Sequence, residues 1–170
     1  MALFDAFLKL DGISGESADA KHKGEIDLVS FGWGESNSFS IGSATGGAGG
    51  GKMKFDEFKI VKKVDAATPP LLLACATGQH IKQGTLVVRK AGGVQLEFLK
   101  VTLNLLFVKD IQQQGSPQGD EIPLEEITMA AGSMQFQYQQ QGPDGKAQGG
   151  PSLASWNVVT NNANPVIPGL

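Results

Sequence analysis

Through most of this chain apolar residues recur at every second position, and that period points to strands rather than helices. Alternation sends successive side chains to opposite faces, one buried and one wet. The clearest runs are Leu86 and Val88 ahead of Arg89-Lys90, and Met134, Phe136 and Tyr138 interleaved with Gln135, Gln137 and Gln139. The second run is predicted to be a half-solvated strand. From Val94, Leu96 and Phe98 the apolar phase shifts by one to Leu99, Val101, Leu103, Leu105 and Phe107. An extra residue in the strand, a β-bulge near Phe98-Leu99, produces such a shift. Arg89-Lys90-Ala91-Gly92-Gly93-Val94 holds paired glycines that tolerate positive φ, and is predicted to be a hairpin turn.

One segment departs from the alternation. In Thr68-Pro69-Pro70-Leu71-Leu72-Leu73-Ala74-Cys75-Ala76-Thr77-Gly78, Thr68 suits the N-cap and Pro69 the first helical position. Leu and Ala favour helix, and Gly78 suits a left-handed C-terminal position. A short helix is predicted over about residues 69–77. The run from Gly42 to Gly51 has almost no side chain to bury and much backbone entropy to lose, so it is predicted to be a long mobile loop unless a neighbour orders it. Gln112 to Gly119 and Gly142 to Pro151, rich in Gly, Gln and Pro, are predicted to be surface loops.

A chain of 170 residues, 41% of them hydrophobic, can bury a proper core as a single domain over 1–170. Net charge is only -3 with the cations dispersed, so no footprint for nucleic acid or an anionic membrane is present. The start, Met1-Ala2-Leu3-Phe4-Asp5, lacks a basic region followed by an apolar stretch, and no later segment approaches the ~20 apolar residues of a spanning helix. Export by a cleavable signal and membrane insertion are therefore not expected. Cys75 is the only cysteine, so no intrachain disulfide can form, which suits assembly in a reducing cytoplasm.

Several motifs invite chemistry and fall short of it. Gly46 to Met53 nearly spells the phosphate-binding pattern G-x-x-x-x-G-K-[ST], but Met53 lacks the hydroxyl and Lys52-Met53-Lys54-Phe55 continues as a strand where the pattern needs a helix. His22 with Asp19 and Glu25 is read as a solvated turn rather than a metal or acid/base site. His80 follows the helix C-terminus with no second ligand nearby. Cys75 is read as packing, and Gly12-Ile13-Ser14-Gly15-Glu16 misses the final glycine of a nucleophile elbow. In Ser30-Phe31-Gly32-Trp33-Gly34 the two aromatics share one face and the small residues the other. The slim face is compatible with a plain core strand, a cavity lining or a subunit contact.

Four blocks in register resemble the Hcp (haemolysin-coregulated protein) family, the tube proteins of type VI secretion. They are Phe7-Leu8-Lys9-Leu10-Asp11-Gly12-Ile13-Ser14-Gly15-Glu16-Ser17 continuing through Lys21 to Asp27, Thr68-Pro69 through Ala74 to Ile81, Arg89-Lys90-Ala91-Gly92-Gly93, and Gln137-Tyr138 with Asp144-Gly145-Lys146 and Trp156-Asn157. The resemblance implies a mainly β fold, a β-barrel of two antiparallel sheets with one helix. It also implies a homohexameric ring with an open lumen and head-to-tail stacking of rings. The implied partners are a VgrG spike, a contractile sheath and small effector proteins carried in the lumen. Ser30 and Gly32 then become lumen-facing candidates, and Gly42, Gly46, Gly49, Lys52 and Lys54 candidates for contacts between subunits or rings. No catalytic residue, cofactor or metal is implied. Assembly in the bacterial cytoplasm and secretion without a cleavable signal are expected, as is the lack of an appended effector domain after Leu170. The competing expectation is a small-ligand-binding β-barrel whose interior holds an apolar molecule; an enzyme would need an acid/base cluster that the sequence does not display.

Overall fold

The computed structural model describes residues 4–40, 49–93, 95–119 and 121–170. Its elements are β1 (Phe4–Leu10), β2 (Ile26–Asp27), β3 (Ser30–Gly32), β4 (Glu35–Ser40), β5 (Gly49–Phe55), β6 (Phe58–Lys63), α1 (Thr68–Thr77), β7 (Ile81–Lys90), β8 (Glu97–Gln114), β9 (Leu124–Tyr138) and β10 (Ser152–Asn157). Eight strands form one antiparallel sheet in the order β2-β1-β7-β8-β9-β6-β3, with β10 also on β9, while β4 and β5 make a separate two-stranded ribbon. Strand β9 is long enough to pair with β6 through Leu124 to Met129 and with β10 through Ser133 to Tyr138.

The large sheet curls until its ends meet. Leu28 N–H donates to the Ala6 carbonyl of β1 at 3.0 Å, and the next residue, Val29, donates to the Val61 carbonyl of β6 at 2.8 Å. One short segment, the link between the end strands β2 and β3, thereby bonds the strand next to each end of the order and closes the curled sheet on itself. Its interior is filled by Leu8, Ile26, Ile60, Leu71, Leu86, Val101, Leu106 and Ile127, all with no exposed surface. Each such side chain contributes about 1.5–3 kcal/mol relative to exposure.

The mainly β class and the helix match the sequence reading, and Gly78 ends α1 at φ 67°. The cap differs. Ala67 occupies the N-cap without a side-chain bond, and Thr68 lies inside the helix. The first turn is instead set by Asp65, whose Oδ1 accepts from Ala67 N–H at 2.9 Å and whose carbonyl accepts from Thr68 N–H at 3.0 Å. Thr68 is drawn inward because its hydroxyl donates to the buried Glu125 carboxylate.

In the pairing of β7 with β8, Val88 faces Leu99 and Arg89 faces Glu97, so Phe98 is the extra residue of a bulge where the phase shift placed one. The hairpin turn preceding it carries Gly92 at φ 128°; Val94 lies outside the described residues. The continued phase through Leu105 and Phe107 is not what forms. Leu105 takes φ 55°, which flips the alternation, so Leu106 and Val108 are buried and Phe107 is 39% exposed. The expected loop from Gln112 also starts too early, since β8 runs on to Gln114 opposite Leu124.

Candidate functional site

Strand β3 behaves as its alternation requires. Ser30 and Gly32 are exposed, while Phe31 and Trp33 turn toward the core, their rings stacked at 5.9 Å and 17°. Trp33 continues the aromatic contact to Phe58 at 6.2 Å and Phe136 at 6.3 Å, and its Nε1 donates to Glu35 Oε1 at 3.1 Å. These aromatics anchor the strand from inside. A Cβ built on Gly32 meets nothing within 4 Å, so the outer face is slim and open.

The β4–β5 ribbon extends the β3–β6 pair beyond the barrel. Phe55 faces Glu35, Lys54 faces Ser36 and Met53 faces Asn37. Met53 and Phe55 are half-buried and line a groove with Met134, Phe136, Ala154, Ser155 and Trp156, whereas Lys52 and Lys54 are exposed. Gly49 and Gly51 belong to β5, and Gly51 is a spatial requirement, because a Cβ there would meet Ser38 Oγ at 2.1 Å. Gly42, Gly46 and the rest of the predicted mobile loop up to residue 48 lie outside the described residues, while its last three residues, 49–51, are not loop but the start of β5. The glycine run leads into a strand through Lys52, whereas phosphate binding demands a helix N-terminus at that point.

Two charged clusters are buried, the first of them where sequence reading placed a solvated turn. His22 is a buried residue, not part of a solvated turn. Its ring stacks on Phe7 at 4.2 Å, Nδ1 lies 2.8 Å from Glu25 Oε2, and Nε2 lies 3.4 Å from Glu97 Oε1. Beside it Arg89, 3% exposed, donates to Asp19 Oδ2 at 2.7 Å and Asp5 Oδ2 at 3.0 Å, with its guanidinium 5.0 Å from the Phe7 centroid. Hydrogen bonding from Arg89 holds the Asp19 carboxyl far below the usual range and raises Arg89 in turn. The cluster pins the meander between β1 and β2 to β7. It uses Phe7, which faces away from the barrel interior, as its floor.

The second cluster centres on Lys62 and Glu125, with no exposed side-chain surface on either. Lys62 Nζ lies 2.7 Å from Glu125 Oε1 and 2.6 Å from Asp65 Oδ1, and also donates to the Lys63 carbonyl at 2.7 Å. Thr68 Oγ1 donates to Glu125 Oε1 at 2.7 Å and Gln113 Nε2 to Oε2 at 2.9 Å. Burial pushes the Glu125 carboxyl up, but the bonds from Gln113, Lys62 and Thr68 outweigh it and leave it below its ordinary value. Every polar atom here has a partner within the chain, so the arrangement is built to hold strand, helix and sheet together.

The remaining candidates do not combine into a site. Ser14 and His80 are exposed, and Cys75 is half-buried against the core. Among the described residues no group of three or more His, Cys, Asp and Glu comes together in a way that would hold a metal ion, and no helix is long and apolar enough to cross a membrane.

A family profile described as "Type VI secretion system effector, Hcp" matches residues 7–138. Protein hcp1 of Pseudomonas aeruginosa is 38% identical over 158 residues, covering 92% of this chain and 96% of that protein. Among solved structures, that of Hcp1 from Salmonella typhimurium is 32% identical with a TM-score of 0.80, covering 96% of this chain and 100% of that one. A structure described as a type six secretion system protein is 31% identical with a TM-score of 0.88, covering 95% and 99%.

Proposed function

The chain belongs to the Hcp family of type VI secretion, and from that premise we propose that it is a ring-forming subunit of the inner tube whose lumen also receives small effector proteins. The observation that carries the reading is the slim, open outer face of β3. Ser30 and Gly32 present backbone and a hydroxyl to solvent, while the aromatics behind them are locked into the core. Such a face lines a channel without obstructing it. Rings stack head to tail, a VgrG spike and a contractile sheath are the fixed partners, and the protein leaves the cell with the tube it builds. The reading assigns it no catalytic step.

A small-ligand barrel would need an internal cavity. Here the barrel axis is occupied by fully buried Leu, Ile and Val side chains, and the grooves are on the surface. Native mass spectrometry of the purified protein, with negative-stain imaging, tests the proposal. A closed ring of identical mass increments with a central hole is the expected result, and a monomer at micromolar concentration overturns it.

A further inference from the structure

Trp156 is half-buried on β10, and its Nε1 is enclosed yet has no hydrogen-bond partner among the described residues. Buried indole N–H groups almost always find an acceptor, so the packing around this ring is incomplete in the isolated subunit. The indole lines the groove of about 340 Å³ between the ribbon and β9–β10, whose other walls are Glu35, Met53, Phe55, Met134, Phe136, Ala154 and Ser155.

The same place carries an unfinished strand edge. Val158 N–H points to β9, donating to the Gly132 carbonyl, while Asn157 N–H points away and donates to the Asn162 carbonyl. Alternation puts the N–H and C=O groups of Ser155 and Leu153 on that outward side with Asn157. Among the described residues none of these four groups has a backbone partner. A small apolar ligand would fill the groove but leave the edge unsatisfied. An extended polypeptide satisfies both, by adding a strand to β10 and laying an apolar side chain on the two methionines and the aromatics.

We propose that this groove is one half of the head-to-tail subunit contact, occupied by an extended segment of a second copy that pairs with Leu153 and Ser155 of β10 and packs an apolar side chain against the Trp156 ring. The inference rests on the ring reading, which places a copy permanently against each side of the subunit. A closed ring also requires two unlike surfaces on one chain. The ribbon adds to the argument, because a two-stranded hairpin projecting beyond its barrel is marginal in water and gains most from a strand laid alongside it.

Hydrogen exchange on the assembled protein and on subunits dissociated by dilution tests the contact directly. The Leu153 and Ser155 amides are expected to exchange at least about tenfold more slowly in the assembly. Two variants accompany it. Ala154→Arg, at an exposed position in the groove, is expected to raise the concentration at which rings dissociate by about tenfold or more, and Trp156→Phe by a smaller factor, both with unchanged circular dichroism. Wild-type protein that is monomeric overturns the ring reading and this inference with it. Wild-type rings with fast-exchanging Leu153 and Ser155 amides, or with Ala154→Arg assembling normally, overturn the inference and leave the ring intact. Protection that appears only when a secreted effector is added also overturns it, by assigning the groove to cargo.

Discussion

Lys62 and Glu125 face each other directly across β6 and β9, and their fully buried side chains meet at 2.7 Å between Nζ and Oε1. The pair lies in the same phase as Ile60 and Ile127, so each strand carries its charge at a core position. Thr68 connects it to the helix and Asp65 to the turn before it, which explains why Thr68 forgoes the cap.

Removing Lys62 alone is expected to be far worse than removing both. Lys62→Met leaves Glu125 as an uncompensated buried charge and is expected to cost about 3–5 kcal/mol in urea unfolding, whereas Glu125→Leu leaves Lys62 paired with Asp65 at 2.6 Å and is expected to cost less. The double variant Lys62→Met/Glu125→Leu removes both charges and is expected to unfold nearer the wild-type midpoint than Lys62→Met. Simple additivity of the two losses would show that the pair is not coupled as its geometry requires.

Both partners were legible in principle. Counting in twos from Phe58 and Ile60 reaches Lys62, and counting back from Met129 and Ile127 reaches Glu125. Charge argued against burial at each position, and only the register of β6 on β9 brings the opposite signs together. The same holds for Arg89, which continues the hairpin turn in sequence but meets Asp5 and Asp19 only through long-range packing. The Phe98 bulge was visible because an insertion displaces the apolar phase on the same strand. The second flip, at Leu105, was invisible because Leu105 and Phe107 are apolar on either phase, and the cause is a backbone angle.

The Asp19–Arg89 contact sets an acid-side dependence of stability. The Asp19 carboxyl is depressed in the folded protein, first by the Arg89 hydrogen bond, so the folded state binds its proton more weakly than the unfolded chain. Its contribution is complete above the unfolded value of ~3.9 and is lost as pH falls below it toward the folded value. Unfolding free energy measured from pH 5 downward is expected to fall, and Arg89→Met is expected to flatten that fall. An equally steep acid limb in Arg89→Met would place its origin elsewhere.

Gly132 is expected to resist even the smallest enlargement. A Cβ there would meet Ile167 Cδ1 at 2.8 Å and Leu105 Cβ at 3.1 Å, and Leu105 already holds a positive φ. Gly132→Ala is expected to cost about 1–3 kcal/mol, as overpacking does. Part of the cost should come from lifting the segment around Pro165, whose carbonyl accepts from Ser133 Oγ and Asn104 Nδ2. Thermal unfolding, with proteolysis near residue 167, measures both effects. A wild-type melting temperature would mean that this segment is not held by Ile167.

Gly32 gives the opposite case. Open space surrounds its added Cβ, so Gly32→Gln is expected to keep monomer stability within about 0.5 kcal/mol, as an unconstrained surface change does. On the lumen reading the longer side chain intrudes on cargo, and co-purified or stabilised effector is expected to drop while ring mass is unchanged. Loss of the ring in this variant would move Gly32 from the lumen to a subunit interface.

The ribbon provides the last expectation. Lys52 and Lys54 point away from the groove that Met53 and Phe55 line, and both are exposed. Neither has a carboxylate partner among the described ion pairs. Reversing them should therefore cost the folded subunit little, since isolated surface charges are worth only a few tenths of a kcal/mol. A neighbouring subunit or ring that uses them would feel the reversal strongly, because like charges across a contact suppress association. Lys52→Glu/Lys54→Glu is expected to unfold at the wild-type temperature yet lose rings or stacks in light scattering and negative stain, with the loss reduced at high salt as screening requires. If the variant assembled and was secreted at wild-type levels, the two lysines would have no part in assembly, and the ribbon would act through its backbone alone.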